Sequence, residues 1–136
     1  MGNIIKVQDI DSSTDMFRLL VYTNVTQDDS ACSINKPMAE ELLKLKANRR
    51  TMQFEKCFCR VLASLPENPT IKDIDVMFNP AYEVDILKVL ISAYKQKPFS
   101  LIWSGKYKDG NLIYGEDGYA DYKVYDINDY DIVCVI

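Results

Sequence analysis

Strand-like and helix-like segments alternate in the second half of the chain, and this alternation strongly restricts the fold. A β-rich apolar run covers residues 71–78, apolar positions recur at helical spacing over residues 82–96, and a second apolar run covers residues 99–104. Apolar strands separated by an amphipathic helix are typical of β-α-β units with buried parallel strands. The order therefore favours an α/β sheet with right-handed crossovers over an α+β arrangement.

The first half of the chain supplies one more strand and two helices. A short apolar run at residues 17–23 predicts a first buried strand. After a polar loop, Pro37 and the apolar spacing that follows it predict a helix to about residue 47. A second helical pattern covers residues 51–65 and ends before a pair of closely spaced prolines.

The C-terminal part combines a hairpin signal with a final strand. Asp109-Gly110 is a strong two-residue turn signal that would join residues 106–108 to residues 112–114. The last six residues, DIVCVI, predict a core strand. We therefore predict one α/β domain over residues 1–136, with three layers, a mostly parallel sheet and a C-terminal hairpin insertion.

Composition narrows the functional classes. The chain has 136 residues, 48% of them hydrophobic and 26% charged, as expected of one globular domain. The longest apolar runs fall short of the roughly 18 residues that a membrane span needs, so we expect a cytoplasmic protein. The net charge of −4 argues against a general nucleic-acid binder.

The chain contains no histidine, which excludes His-activated serine or cysteine nucleophiles and the common histidine-containing zinc sites. Four cysteines remain, and only Cys57 and Cys59 are close in sequence. On a helix, positions two apart point in different directions, so this pair does not form a zinc knuckle. We predict structural thiols, no metal site, no cofactor and no catalytic residue.

The order of elements is also that of a reduced P-loop NTPase core. A P-loop needs G-x-x-x-x-G-K-[ST] after the first strand, because glycine N–H groups wrap the phosphates and the lysine neutralises them. Here residues 24–30 read NVTQDDS, without glycine or lysine and with two aspartates that would repel phosphate. The Gly105-Lys106 pair follows a later strand. We therefore predict neither ATP hydrolysis nor tight ATP binding.

Residues 71–136 resemble a known family through uncommon words: FNP at 78–80, VDILKVL at 84–90, IWSG at 102–105 and EDGYADYKVY at 116–125. These words are similar to the C-terminal part of BrxF, the small P-loop-type protein of BREX phage-resistance loci. The family's Walker B acid would fall at Lys72, so this motif is also altered. The resemblance implies a role beside a methyltransferase, a phosphatase-like protein and large ATPases that restrict phage DNA.

Three groups of side chains are candidate sites. Aromatic residues around the hairpin are the predicted partner-binding surface: Trp103, Tyr107, Tyr114, Tyr119 and Tyr122. A basic stretch is the candidate contact for phosphate or an acidic partner: Lys46, Arg49 and Arg50. Carboxylates near a predicted strand end are a weaker candidate for Mg²⁺: Asp73, Asp75 and Asp85.

These features leave three functional hypotheses. The first is a non-catalytic, P-loop-like interaction subunit of a phage-defence complex, with other protein subunits as partners. The second is an accessory factor that contacts nucleic acid, weakly or indirectly, through Arg49 and Arg50. The third is an unorthodox Mg-dependent NTPase or nuclease that uses Asp73 and Asp75. None of the three requires a membrane.

Overall fold

The computed structural model describes residues 2–5, 18–23 and 30–136. The strands are β1 (Asn3–Ile5), β2 (Leu19–Tyr22), β3 (Cys32–Ser33), β4 (Thr70–Lys72), β5 (Ser100–Ile102), β6 (Lys106–Lys108), β7 (Asn111–Tyr114), β8 (Lys123–Asp126) and β9 (Ile132–Val135). The helices are α1 (Asn35–Leu43), α2 (Ala47–Arg50), α3 (Phe54–Ala63) and α4 (Ile86–Gln96), with 3-10 helices at Asp75–Phe78 and Ile127–Asp129.

Six strands form one sheet in the order β1-β9-β2-β5-β4-β3, and every neighbouring pair is parallel. The other three strands form a separate antiparallel sheet in the order β6-β7-β8, hereafter the small sheet. This architecture confirms the α/β class, the mostly parallel sheet and the hairpin insertion, and it is consistent with three layers.

Side chains from the two faces of the parallel sheet enter different apolar clusters. Leu19 and Val21 of β2 point into the larger cluster, which also contains the buried residues of α1, α3 and α4. Leu20, between them, belongs to a smaller cluster on the opposite face with Val133 and Val135. This alternation is what a strand buried on both faces requires. The connections from β1 to β2 and from β2 to β3 consist largely of residues outside the described ranges.

The strand predicted over residues 71–78 is wrong in its second half. β4 ends at Lys72, and Asp73 then takes a left-handed conformation with φ of 54°. The chain continues as the 3-10 helix Asp75–Phe78, because Ile74, Met77 and Phe78 are spaced to bury one helical face. A continuous apolar run cannot by itself distinguish a buried strand from a short buried helical turn.

Other boundaries also differ from the predictions. The first helix ends at Leu43 and is followed by the separate turn of α2, while the last helix begins at Ile86 instead of residue 82. Asp85 sets that start, because its carboxylate accepts the Lys88 N–H at 3.2 Å. The short strands β1 and β3 were not predicted. No helix in the described ranges has the length and apolarity needed to cross a bilayer.

Candidate functional site

The carboxyl ends of the parallel strands meet along one edge, where open α/β sheets usually bind ligands. The end of β5 is tied to its neighbours there: the Trp103 N–H donates to the Tyr22 carbonyl at 2.9 Å, and the Ile74 N–H donates to Ser104 Oγ at 3.4 Å. Thr23 extends β2 and donates to the Val135 carbonyl through both its N–H and its hydroxyl. Backbone pairing therefore occupies much of this edge.

A polar network joins the segments that follow β3 and β4 to the small sheet. Asn35 accepts the Val76 N–H at 2.8 Å, and its amide donates to Asp75 Oδ2 at 3.3 Å. The Tyr114 hydroxyl donates to Asp75 Oδ1 at 3.0 Å. Both Asp75 oxygens are therefore engaged within the protein. An open concavity of about 480 Å³ lies beside them and is also lined by Asn79 and Asp121.

Burial, followed by the hydrogen bond to Asp75 and the nearby carboxylates, raises the pKa of Tyr114 far above its ordinary value. The hydroxyl therefore stays protonated as a donor and does not act as a base near neutral pH. Its contribution to stability is present below the ordinary tyrosine pKa and is lost as the pH rises through the higher folded-state pKa. This network is suited to fixing the small sheet on the core.

The three predicted acidic residues are not brought together as metal ligands. Asp73 is exposed in its left-handed turn, and Asp75 bonds to Asn35 and Tyr114. Asp85 caps α4 and accepts the Tyr130 hydroxyl at 2.7 Å. Across the described ranges, no group of three or more His, Cys, Asp or Glu side chains is placed to hold a metal ion.

Two of the five predicted partner-binding aromatics belong to the core, which corrects their placement on a surface. Trp103 is only 4% exposed, and Tyr114 is also buried. The ring of Tyr114 stacks on Phe78 with centroids 3.8 Å apart, and Trp103 meets Phe78 edge-on at 5.7 Å. Trp103 Nε1 also donates to the Ile113 carbonyl at 3.0 Å. These rings fasten the small sheet to the parallel sheet.

The other three predicted aromatics differ in accessibility. Tyr107 is half-buried and packs against the larger cluster, because its cross-strand partner Leu112 faces the core. Tyr122 is also half-buried. Tyr119 is 66% exposed, in the turn between β7 and β8. Of the five, only Tyr119 presents most of its surface to solvent.

The outer face of the small sheet was missed by the sequence analysis. Cross-strand pairing aligns Lys106, Ile113 and Val124 on the face opposite the buried Leu112 and Tyr125. Val124 is 47% exposed and Ile113 is half-buried. The available signal was the apolar Val124 next to Tyr125, since neighbouring residues of a strand face opposite sides of the sheet. It was obscured because the predicted surface was chosen by aromatic content.

The basic candidates also separate into two roles. Lys46 and Arg49 are exposed at α2. Arg50 is half-buried, and its Nε donates to the carbonyls of Leu42 at 3.0 Å and Leu45 at 3.3 Å. This arrangement satisfies carbonyls at the C-terminus of α1, where a cation is favourable. Arg50 therefore has a structural contact that its sequence neighbour Arg49 lacks.

Arg50→Ala should lower the free energy of unfolding by about 1–2 kcal/mol, because it removes a charge-assisted bond to carbonyls at a helix end. Arg49→Ala is the matched control and should change it by less than about 0.5 kcal/mol, since the side chain is exposed. Urea denaturation of both variants measures the difference. Equal losses would contradict the capping role of Arg50.

The cysteines lie in two environments, which gives a labelling prediction. Burial raises the pKa of the Cys134 thiol to about 12, whereas Cys32 and Cys59 are half-buried. Protonation of Cys134 supports the fold below the unfolded thiol pKa, and this support is lost as the pH rises toward 12. At roughly pH 8, a thiol reagent should leave Cys134 unmodified until the protein unfolds. Mass spectrometry, with Cys59→Ser as the control, measures this; rapid native labelling of Cys134 would contradict its burial.

Comparisons with family models, curated proteins and solved structures found no match.

Proposed function

We propose that this protein is a non-catalytic, P-loop-like interaction subunit of a BREX-like phage-defence complex. The observation that carries the proposal concerns the segment that follows β2. Its position in the sheet suits a phosphate-binding loop, but its residues do not. This strand lies between β9 and β5, with parallel neighbours on both sides, where an α/β protein can place a phosphate-binding loop. The sequence that leaves it contains Asp28 and Asp29 instead of the glycines and lysine that phosphate binding needs.

The rest of the carboxyl edge supports a structural use. Two side chains after β4 and β5 are occupied within the protein: Asp75 accepts a hydrogen bond from Tyr114, and Trp103 packs on Phe78. The insertion between β5 and β9 folds as a sheet with one face on the core and the other outward. An α/β sheet with an added outward-facing element is suited to protein contacts. The BREX part of the proposal rests on the resemblance of residues 71–136.

Magnesium-ATP should not raise the melting temperature of the isolated protein. A ligand present at about 100 times its dissociation constant, and bound only to the folded state, adds about 2.7 kcal/mol, which shifts the midpoint by several degrees in a domain of this size. The control is magnesium tripolyphosphate at equal ionic strength. A reproducible upshift specific to ATP would contradict a degenerate phosphate-binding site and favour the Mg-dependent NTPase.

Lys46 and Arg49 support a second candidate function, contact with nucleic acid, because both are exposed on the same turn. The Lys46→Glu/Arg49→Glu double variant separates the two functions. If these residues contact DNA, an electrophoretic shift by the wild type should be strongly salt-dependent and lost in the variant. If the wild type shifts no DNA and the double variant still co-purifies with the other protein subunits, the interaction subunit is favoured.

A further inference from the structure

Within the described residues, β8 is an edge strand of the small sheet and pairs only with β7. In the hairpin, Asp109 and Gly110 both have positive φ, 52° and 81°, so the flanking Lys108 and Asn111 form a hydrogen-bonded pair. Alternation along β7 then directs the backbone groups of Leu112 and Tyr114 toward β8. The Ile127 N–H donates to the Gly110 carbonyl at 3.1 Å, which continues the β7–β8 pairing by one residue pair.

The same alternation assigns the backbone groups of β8. Tyr125 and Lys123 pair with β7, so the N–H and C=O of Val124 and the N–H of Asp126 point away from it. Among the residues that the structure describes, no strand pairs with β8 on that side. Unpaired groups of this kind are a template for an additional strand.

The side chains beside this edge favour a partner with an apolar residue. Val124 is 47% exposed and lies opposite the half-buried Ile113 on the outer face. A strand paired with β8 would place the residue opposite Val124 on this same face. An apolar side chain there would cover Val124 and extend its contact with Ile113.

The charge around the edge favours a basic partner. The small sheet and its connections, residues 106–131, contain seven carboxylates and three lysines, Lys106, Lys108 and Lys123. Several of these acids lie in the segments on either side of β8, including Glu116, Asp117 and Asp129, and all three are exposed. Lysine or arginine next to the apolar residue of an added strand would be complementary to this field.

We propose that the free edge of β8 binds an extended, basic segment of a protein partner by strand addition. Main-chain hydrogen bonds to Val124 and Asp126 would supply affinity, and the apolar and basic side chains would supply specificity. The proposal rests on the proposed function, since it identifies the kind of segment that an interaction subunit would hold. A second copy is a poorer occupant, because pairing two β8 edges would bring two acidic regions together.

Val124→Pro tests the site without breaking the β7–β8 ladder, because the Val124 N–H points away from β7. Val124→Thr is the matched control, since it keeps the N–H and the strand preference. The probe is a fluorescent synthetic peptide that alternates lysine and valine. We expect the wild type and Val124→Thr to bind it similarly and Val124→Pro to bind it about tenfold more weakly.

Two further peptides keep the test decisive even if Val124→Pro is unstable. Methylation of the valine nitrogens removes the donors that would face β8 and should weaken binding to the wild type by about tenfold. A peptide that alternates glutamate and valine should not bind detectably. Equal binding of the methylated and unmethylated peptides would overturn strand addition. Equal binding of the lysine and glutamate peptides would overturn the preference for a basic segment.

Two other outcomes separate this inference from the proposed function. A concentration-dependent dimer that Val124→Pro abolishes would assign the edge to a second copy and overturn the proposed occupant. If a folded Val124→Pro variant still co-purifies with the defence complex as the wild type does, the β8 site is wrong while the interaction function stands. Loss of the complex only in Val124→Pro, with retention in Val124→Thr, supports both.

Discussion

Replacing Trp103 by alanine should lower the free energy of unfolding by about 3–5 kcal/mol. The indole is 4% exposed and packs edge-on against Phe78 and Tyr125. Its Nε1–H also donates to the Ile113 carbonyl, so truncation would open a cavity and leave this acceptor without its partner. Urea denaturation followed by circular dichroism measures the loss.

Tyr119→Ala is the control for the Trp103 variant. Tyr119 was predicted to share a surface with Trp103, but it is 66% exposed, so its removal should change stability by less than about 0.5 kcal/mol. If Trp103→Ala were as stable as Tyr119→Ala, the ring would not be part of the core that holds the small sheet.

Gly105→Ala should cost about 3 kcal/mol or more, at the upper end of the range for overpacking. A Cβ at this position would fall 1.9 Å from the Ile113 carbonyl oxygen and 2.9 Å from Trp103 Nε1. The first obstacle is backbone, so β7 would have to move away from the segment that leaves β5. The same displacement would disturb the bond from the indole to that carbonyl. Thermal or urea unfolding measures the cost.

Gly110→Asn provides the comparison for Gly105→Ala. Gly110 has φ of 81°, but a Cβ there would meet no atom within 4 Å, and asparagine tolerates the left-handed region. We expect a cost below about 1 kcal/mol. Similar losses in the two variants would mean that the close approach of β7 at Gly105 does not limit stability.

The elements with strong local signals were predictable from sequence. The parallel strands at 17–23, 99–104 and 131–136 and the turn at Asp109-Gly110 correspond to β2, β5, β9 and the hairpin. Each signal was local: a continuous apolar run or a turn that requires positive φ. β3 could not be found this way, because its two residues form a strand only by pairing with β4.

The candidate site was less predictable, because accessibility depends on tertiary packing. Trp103 ends the apolar run at residues 99–104 and Tyr119 lies in a Gly/Asp-rich segment; aromatic content alone grouped them, yet one fills the core and the other faces solvent. Likewise, Arg49 and Arg50 are adjacent, but only Arg50 reaches the end of α1. Side-chain type identified candidates, whereas the direction of each side chain decided their roles.

Co-purification most directly tests whether this protein is an interaction subunit of a defence complex. The tagged protein is coexpressed with the methyltransferase, phosphatase-like protein and large ATPases of a BREX locus, then analysed by size-exclusion chromatography with light scattering. An unrelated α/β protein that carries the same tag serves as the control. We predict stable co-elution with at least one of these subunits. Elution alone, at the mass of one tagged chain (15.6 kDa plus the tag), would contradict the proposed function.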